Sequence, residues 1–402
     1  MAKVIIDREK IKEVLERGVE EVIVKENLEK KMLSGKQLRI KLGIDPTGSV
    51  LHLGHAVVLR KLKGFQDLGH QVIFLIGDFT AKIGDPTGRS MERKPMTDKE
   101  IKNNMKDYIK QAGLVLNMGK VEIRHNSEWL AKLNFQEVIM LTSKVTYAQV
   151  AQRADFKKRI KDDIDVSLQE FIYPVMQGYD SVALRADVEI GGTDQKFNLL
   201  MGRQLQKRYE QEEQDVVTCP LLEGLSGGDK MSKSLNNYIA LNESANEMYG
   251  KIMSLSDSLI IPYFKLCTYL DLKDVDKIEN EIKKGANPRD FKMKLAYEIV
   301  KIYHGEKGAM EAQEYFIKTI QKKETPNEVK SQKSKVKSSN IMDLLVEVGL
   351  AGSKSEARRL IEQGGIKVDE EVISDINKKI EATKDGVLIQ RGKRQFVRVI
   401  LN

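Results

Sequence analysis

A run of five apolar residues, Val72 to Ile76, ends at Gly77 and Asp78; a partly apolar segment, Leu38 to Ile44, and a helical pattern from about Leu51 through Phe65 precede it. A run that is apolar at every position offers no wet face, so it reads as a strand covered on both sides, as in a parallel sheet flanked by helices. Strand, helix, strand in this order needs a right-handed crossover and brings ligands to the carboxyl ends of the strands. Asp45 and Pro46 close the first strand in a tight turn. The expected fold class is α/β, built on a Rossmann-like parallel sheet.

At 402 residues the chain is long enough for two or three domains. Apolar residues at helical spacing between Ile11 and Met32 predict an amphipathic leading helix. Helical patterns fill much of 98–132 and 135–159, another helix follows Gly192, and Asp215 to Leu222 reads as the last strand of the first domain, 1–240. A Lys-rich helical domain is expected over 241–325. Pro326 to Ser339, with four lysines, four serines and almost nothing apolar, reads as a self-repelling linker over 326–339. A last domain, 340–402, opens with a helix that Ser353 and Glu356 would cap and Gly364 and Gly365 would end. Strand-like segments follow, the final two joined by a turn at Arg391, Gly392 and Lys393.

The 67 basic residues exceed the 59 acidic ones, a net charge of +8 that suits a polyanionic partner without requiring one. Cys219 and Cys267 are far apart and outside any Cys-x-x-Cys pair, so no disulfide framework or zinc site is expected and a reducing cytoplasm fits. The N-terminus turns to charge at Asp7 before a signal-peptide core could form, and no run approaches about 20 apolar residues. Neither export nor a membrane is expected.

Two of the chain's five histidines fall together in His52-Leu53-Gly54-His55 at the start of the first helix after a strand. Free N–H groups and positive dipole there suit phosphate, Gly54 admits a close ligand, and two imidazoles add donors. Downstream, Gly227-Gly228-Asp229-Lys230-Met231-Ser232-Lys233-Ser234 sets two lysines three apart on a glycine-hinged segment. Ammonium groups brought to a developing pyrophosphate would favour the transition state over the ground state. Taken singly, ordinary histidines and a solvated Lys-Ser loop would look the same.

Together, in this order on a nucleotide-binding sheet, they resemble the signatures of the class I aminoacyl-tRNA synthetases. Lys230 to Ser234 matches KMSKS in every letter, His52 to His55 differs from HIGH only at Leu53, and Asp45-Pro46-Thr47 matches as well. The resemblance implies catalytic roles for Thr47, His52, His55, Lys230 and Lys233, with ATP held by Asp45, Gly54, Gly192, Asp194 and Lys233, and with Mg2+ arriving with ATP rather than on a protein metal site.

Three further segments are similar to the tyrosyl branch: Gly84-Asp85-Pro86-Thr87-Gly88, Tyr173 through Asp180, and Gly191-Gly192-Thr193-Asp194-Gln195. By that resemblance Asp85, Tyr173 and Gln177 bind the ammonium group of L-tyrosine, Asp180 accepts its phenolic hydroxyl and Gln195 faces its carboxyl. Tyr173, Gln177 and Asp180 share one face of a helix by their spacing alone. Lys41 stands where better-known tyrosyl enzymes carry a hydroxyl-binding tyrosine, and the local sequence resembles a second bacterial subtype. The tail resembles a small RNA-binding fold first known in a ribosomal protein. From Asn340 onward 11 basic residues face 10 acidic ones, so placement must matter; Arg358, Arg359, Arg391, Lys393 and Arg394 could line one face for tRNA(Tyr) phosphates. The helical middle would bind the anticodon, and a homodimer is implied. A tryptophanyl-type synthetase is the nearest alternative, against which Asp180 and Gln177 argue because indole offers only a donor. A non-catalytic RNA-binding paralogue would have lost signature residues, and none is lost.

Overall fold

The computed structural model of the chain describes residues 4–86, 96–321, 330–334, 338–381, 383, 386–392 and 395–401. Thr87, Gly88, Lys335, Lys337, Lys393 and Arg394 lie outside the described residues. The chain divides into two compact units, 1–243 with 251–303, and 244–250 with 304–402.

In the first unit the sequence begins with α1 (Arg8–Glu16), β1 (Glu21–Ile23) and α2 (Lys25–Leu33). One leading helix was expected over Ile11 to Met32; instead Gly18, at φ +61°, breaks it, and β1 pairs antiparallel with a later strand. Next come β2 (Arg39–Ile44), α3 (Leu53–Asp67), β3 (Gln71–Ile76), α4 (Asp98–Ala112) and β4 (Val121–His125). The helical reading of 98–132 concealed β4. It is a border strand whose residues are all half-buried, so Glu122 and Arg124 reach water and each other, and no continuous apolar run marks it. Short helices α5 (Ser127–Leu130), α6 (Phe135–Thr142), α7 (Tyr147–Val150) and α8 (Ala154–Lys161) lead to α9 (Leu168–Leu184), β5 (Val188–Gly192), α10 (Lys196–Arg208) and β6 (Asp215–Cys219).

The sheet order is β1-β6-β5-β2-β3-β4, all parallel except β1. From β2 the chain winds one way through β3 and β4, then returns to the other side of β2 with β5 and β6. The β2/β5 boundary is therefore the switch point where the crossovers diverge and leave a crevice. Strand residues Ile40, Val72 to Ile76, Val188, Ile190, Val216 and Val217 are buried. α9 and α10 approach closely because Gly178 carries no Cβ: one there would lie 2.9 Å from Leu205 Cδ1 and 3.0 Å from Met201 Cγ.

The chain continues through α11 (Ala245–Met253), α12 (Ile260–Cys267), α13 (Leu272–Lys283) and α14 (Pro288–Phe316), the last kinked at Gly305. In the second unit, β7 (Lys330–Ser334) and β8 (Ser338–Asn340) fall inside the stretch read as a linker. β7 adds in parallel to β13 (Gln395–Leu401), a pairing through main-chain groups that needs no apolar side chains. α15 (Ile341–Glu347), α16 (Lys354–Glu362), β9 (Ile366–Val368), β10 (Glu371–Val372), β11 (Lys379–Glu381) and β12 (Val387–Arg391) complete the tail. Its sheet runs β10-β9-β12-β13-β7, and β8 pairs with β11. Ile341, Leu345, Ala357, Ile361, Ile366 and Ile389 are among the buried apolar residues of its separate core. No described helix is long and apolar enough to cross a membrane.

Candidate active site

A cleft of about 520 Å³ opens at the carboxyl ends of β2, β3 and β5. It gathers every residue expected for catalysis, ATP and tyrosine: Asp45, Thr47, His52, Gly54, His55, Asp85, Tyr173, Gln177, Asp180, Gly192, Asp194, Gln195, Lys230 and Lys233.

On one wall α3 presents its N-terminus. The backbone N–H of His52, the N-cap, donates to His55 Nδ1 at 3.2 Å, so the neutral His55 ring carries its hydrogen on Nε2. Burial, with Lys233 adding to it, pushes His52 down to about 3; burial with His52 and Lys233 nearby holds His55 well below the usual histidine range. Both rings are neutral at pH 7 and offer N–H dipoles rather than charge. Gly54 leaves the wall open, since a Cβ there would lie 3.0 Å from the His52 ring.

The Lys230–Ser234 segment closes against this wall. Lys233 Nζ donates to the Val50 carbonyl at 3.2 Å and to Tyr108 Oη at 3.3 Å, and Gly48 makes room for it: a Cβ would stand 2.7 Å from that nitrogen. Lys230 pairs with Asp194 at 2.8 Å. Gly227 and Gly228, at φ +78° and +84°, lead into the segment through a backbone conformation that favours glycine.

The opposite wall is α9. Tyr173 and Asp180 are buried and Gln177 is half-buried. Hydrogen bonds run from one to another around the cleft floor. Tyr173 Oη donates to Asp45 Oδ2 (2.8 Å), Thr80 Oγ1 to Asp45 Oδ1 (2.7 Å), Asn126 Nδ2 to Thr80 Oγ1 (2.9 Å) and to Asp180 Oδ2 (3.4 Å), and Trp129 Nε1 to Asp180 Oδ1 (2.8 Å). Gly77 is needed where this network passes the carboxyl end of β3, because a Cβ would lie 2.0 Å from Asp45 Oδ1. Burial pushes Asp180 up to about 7 against the pull of Lys41 and of the donors Trp129 and Asn126. At neutral pH much of it is ionised, an acceptor for a phenolic O–H. Burial, reinforced by Asp45, drives the Tyr173 hydroxyl well above the ordinary phenol range, so it remains a donor.

Lys41 does not line the cleft. Fully buried, its Nζ pairs with Glu189 Oε1 (2.9 Å) and donates to Ser181 Oγ (2.9 Å) and the Gln177 carbonyl (3.3 Å). Lys41 and Glu189 are directly opposed across β2 and β5, so the pair joins the central strands to α9 behind Asp180. The sequence reading missed Thr80, Tyr108, Asn126 and Trp129. Asn126 and Trp129 follow β4, and recognising that strand would have marked them as residues at a carboxyl end.

The basic residues of the tail divide. Arg391 bonds the Leu350 carbonyl (2.6 Å) and Glu356 (2.8 Å), so it ties β12 to α16 instead of standing free for phosphate. Glu356 also accepts from the Gly352 N–H, and the expected reciprocal box with Ser353 is replaced by a one-way cap, Glu356 N–H to Ser353 Oγ. Arg358 and Arg359 are exposed on α16, Arg358 with a surface pair to Glu362 at 3.0 Å.

The comparisons with known proteins agree over most of the chain. A family model described as tRNA synthetases class I (W and Y) matches residues 33–321, and one described as the tyrosine–tRNA ligase SYY-like C-terminal domain matches 321–399. A tyrosine–tRNA ligase of Thermotoga maritima is 50% identical over 387 residues, 96% of each chain. Tyrosine–tRNA ligase 2 of Clostridium acetobutylicum is 48% identical over 393 residues, 96% of this chain and 98% of that protein. Among solved structures, a C-terminally truncated mitochondrial tyrosyl-tRNA synthetase of Aspergillus nidulans superposes with a TM-score of 0.64 at 25% identity, over 77% of this chain and 92% of that one. An Archaeoglobus fulgidus tyrosyl-tRNA synthetase complexed with L-tyrosine shares the fold, with a TM-score of 0.61 at 22% identity over 76% and 100%.

Proposed function

Since the chain belongs to the class I tRNA synthetases, within their tyrosine–tRNA ligase branch, we propose that it activates L-tyrosine with ATP and transfers the tyrosyl group to tRNA(Tyr). A carboxylate oxygen of tyrosine attacks the α-phosphorus of ATP and pyrophosphate leaves; a terminal ribose hydroxyl of the tRNA then attacks the anhydride carbonyl and AMP leaves. The observation that carries this reading is the position of Asp180, which faces the cleft from α9 with both oxygens held by N–H donors, across from the His52, His55 and Lys233 wall.

The phenol would donate to Asp180, while Asp85, Tyr173 and Gln177 take the ammonium and Gln195 the carboxylate. Gly54, Gly192 and Asp194 would hold the nucleoside, and His52, His55, Thr47, Lys230 and Lys233 would meet the phosphates. Lys230 must leave Asp194 for the ribose to bind there, a movement that Gly227 and Gly228 would permit. Mg2+ would enter on the phosphates of ATP. Catalysis is then positioning and charge stabilisation, with no covalent enzyme intermediate.

Four further assignments complete the reading. The helical residues 241–325 would meet the anticodon, and the tail, 340–402, would hold tRNA backbone through Arg358 and Arg359. Residues Phe135, Tyr147 and Leu168, 70–81% exposed at the first positions of α6, α7 and α9, favour a homodimer interface there. Work in the cytoplasm suits the two buried thiols, which burial raises to about 12. ATP–pyrophosphate exchange with tyrosine, tryptophan and phenylalanine tests the assignment: tyrosine alone should support it, and exchange with tryptophan in place of tyrosine would overturn it.

A further inference from the structure

Arg153, the residue before α8, is 4% exposed although it belongs to no site described above. Its Nε and Nη2 grip both carboxylate oxygens of Asp155 at 3.0 and 2.8 Å, and its plane lies near the rings of Phe156 and Phe197. The remaining arm, Nη1, donates to Asn198 Oδ1 at 3.1 Å. Asn198, 1% exposed on α10, passes the direction on: its Nδ2 donates to Gln195 Oε1 at 3.0 Å. Gln195 Nε2 then donates to Asp85 Oδ2 at 2.7 Å in the wall of the cleft.

This order has only one sense. A guanidinium has five N–H donors and no acceptor, so Asn198 must turn its oxygen toward Arg153 and its nitrogen away. Gln195 must in turn point its oxygen back at Asn198 and its nitrogen into the cleft. A flipped amide would set oxygen against oxygen or nitrogen against nitrogen in a buried chain, and each unpaired group there is costly. Asp155 neutralises the arginine, so what crosses to the cleft is a hydrogen-bond direction rather than a charge.

We infer that Arg153 is a positioning residue for recognition of the amino-acid carboxylate: through Asn198, and in concert with Asp85 on the cleft side, it fixes Gln195 so that an N–H, not a C=O, faces the substrate. The inference rests on the reading of Gln195 given above. Asp85 takes one hydrogen of the Gln195 amide nitrogen, and the second is the one offered to the carboxylate. A lysine at 153 keeps the donor-only character and hence the direction, whereas methionine keeps much of the bulk and loses it.

The test is equilibrium binding to the full chain of tyrosine and of tyramine, which lacks the carboxylate. Arg153→Met should raise the tyrosine Kd about tenfold, the loss of one hydrogen bond, and the tyramine Kd much less. Arg153→Lys should restore most of the tyrosine affinity. Asn198→Asp provides a second route that leaves the arginine in place: it can still accept from Arg153 but has no N–H for Gln195, and it should reproduce the selective loss. Equal losses for tyrosine and tyramine would make Arg153 merely structural and overturn the inference. So would an unchanged tyrosine Kd in Arg153→Met and Asn198→Asp alongside a weakened Gln195→Ala. If Gln195→Ala binds tyrosine as tightly as the parent chain, the reading of Gln195 falls first and the inference falls with it.

Discussion

The cleft and the tail use charged residues in opposite ways. In the cleft, the side chains that carry the proposed chemistry are, apart from the exposed Lys230, buried or half-buried, and many fix one another: Tyr173, Asp45, Thr80, Asn126, Asp180 and Trp129 form one connected chain of hydrogen bonds. In the tail, Arg358 and Arg359 stand exposed over an apolar core, while Arg391 is locked by Glu356 and a carbonyl. Reading one small molecule in a dry pocket calls for preorganised donors and acceptors, whose removal leaves partners unpaired. Holding a phosphate backbone calls for mobile surface charge, worth little per contact and sensitive to salt. Substitutions in the two regions should therefore differ in size and in kind.

The largest effect is expected where charge develops during reaction. Lys233→Ala should slow single-turnover formation of the adenylate about 10²- to 10³-fold, the usual cost of one transition-state donor, with little change in tyrosine KM. A change confined to tyrosine affinity would remove Lys233 from the phosphate site. Asp180→Ala comes next. The loss of a hydrogen bond to a charged acceptor should cut discrimination between tyrosine and phenylalanine by about 10- to 150-fold in exchange assays. Preserved discrimination would mean that other groups read the hydroxyl.

Acidity gives a gentler probe of the same carboxylate. Because the unliganded Asp180 titrates near 7, kcat/KM for tyrosine should fall as pH drops below about 7, up to tenfold per unit, while phenylalanine should show no such fall. Trp129→Phe removes a donor that favours the ionised form, so the midpoint should move to higher pH. A midpoint unmoved by that change would show that Trp129 does not tune the acceptor. The smallest effects belong to the tail. Loss of one arginine–phosphate contact, as in Arg359→Ala, should reduce the slope of log affinity against log salt for tRNA by about 0.7 to 0.9. Arg391→Ala should instead lower the melting temperature of the tail with less change in that slope.

How far the sequence could be read follows from the same contrast. β2, β3 and β6 have apolar segments, and His52 to His55 and Lys230 to Ser234 are local words, so those three strands and the two facing walls of the cleft were legible, whereas β5 (Val188–Gly192) was passed over on the way to the helix after Gly192. β4 was not: as a border strand it shows no buried run, and with it Asn126 and Trp129 were hidden. Lys41 had to wait for its partner, because nothing local in the chain reveals that Glu189 lies directly opposite it on β5. Arg391 was hard to place for the complementary reason. Its hairpin position suggested exposure, and only the packing of β12 on α16 shows that Glu356 claims it. The Lys-Ser stretch before the tail looked featureless because pairing of β7 with β13 through main-chain groups leaves no pattern of apolar residues to read.

The division of labour can be measured in one experiment on the full chain. Arg358→Glu with Arg359→Glu reverses two charges of the second unit, whereas every residue assigned to ATP or tyrosine belongs to the first, and pyrophosphate exchange and tRNA charging are followed in the same buffer over a range of salt. The predicted result is exchange at the parent rate with charging much reduced and less dependent on salt. Exchange and charging falling together, or charging left intact, would contradict the assignment of activation to the cleft and of RNA holding to the tail.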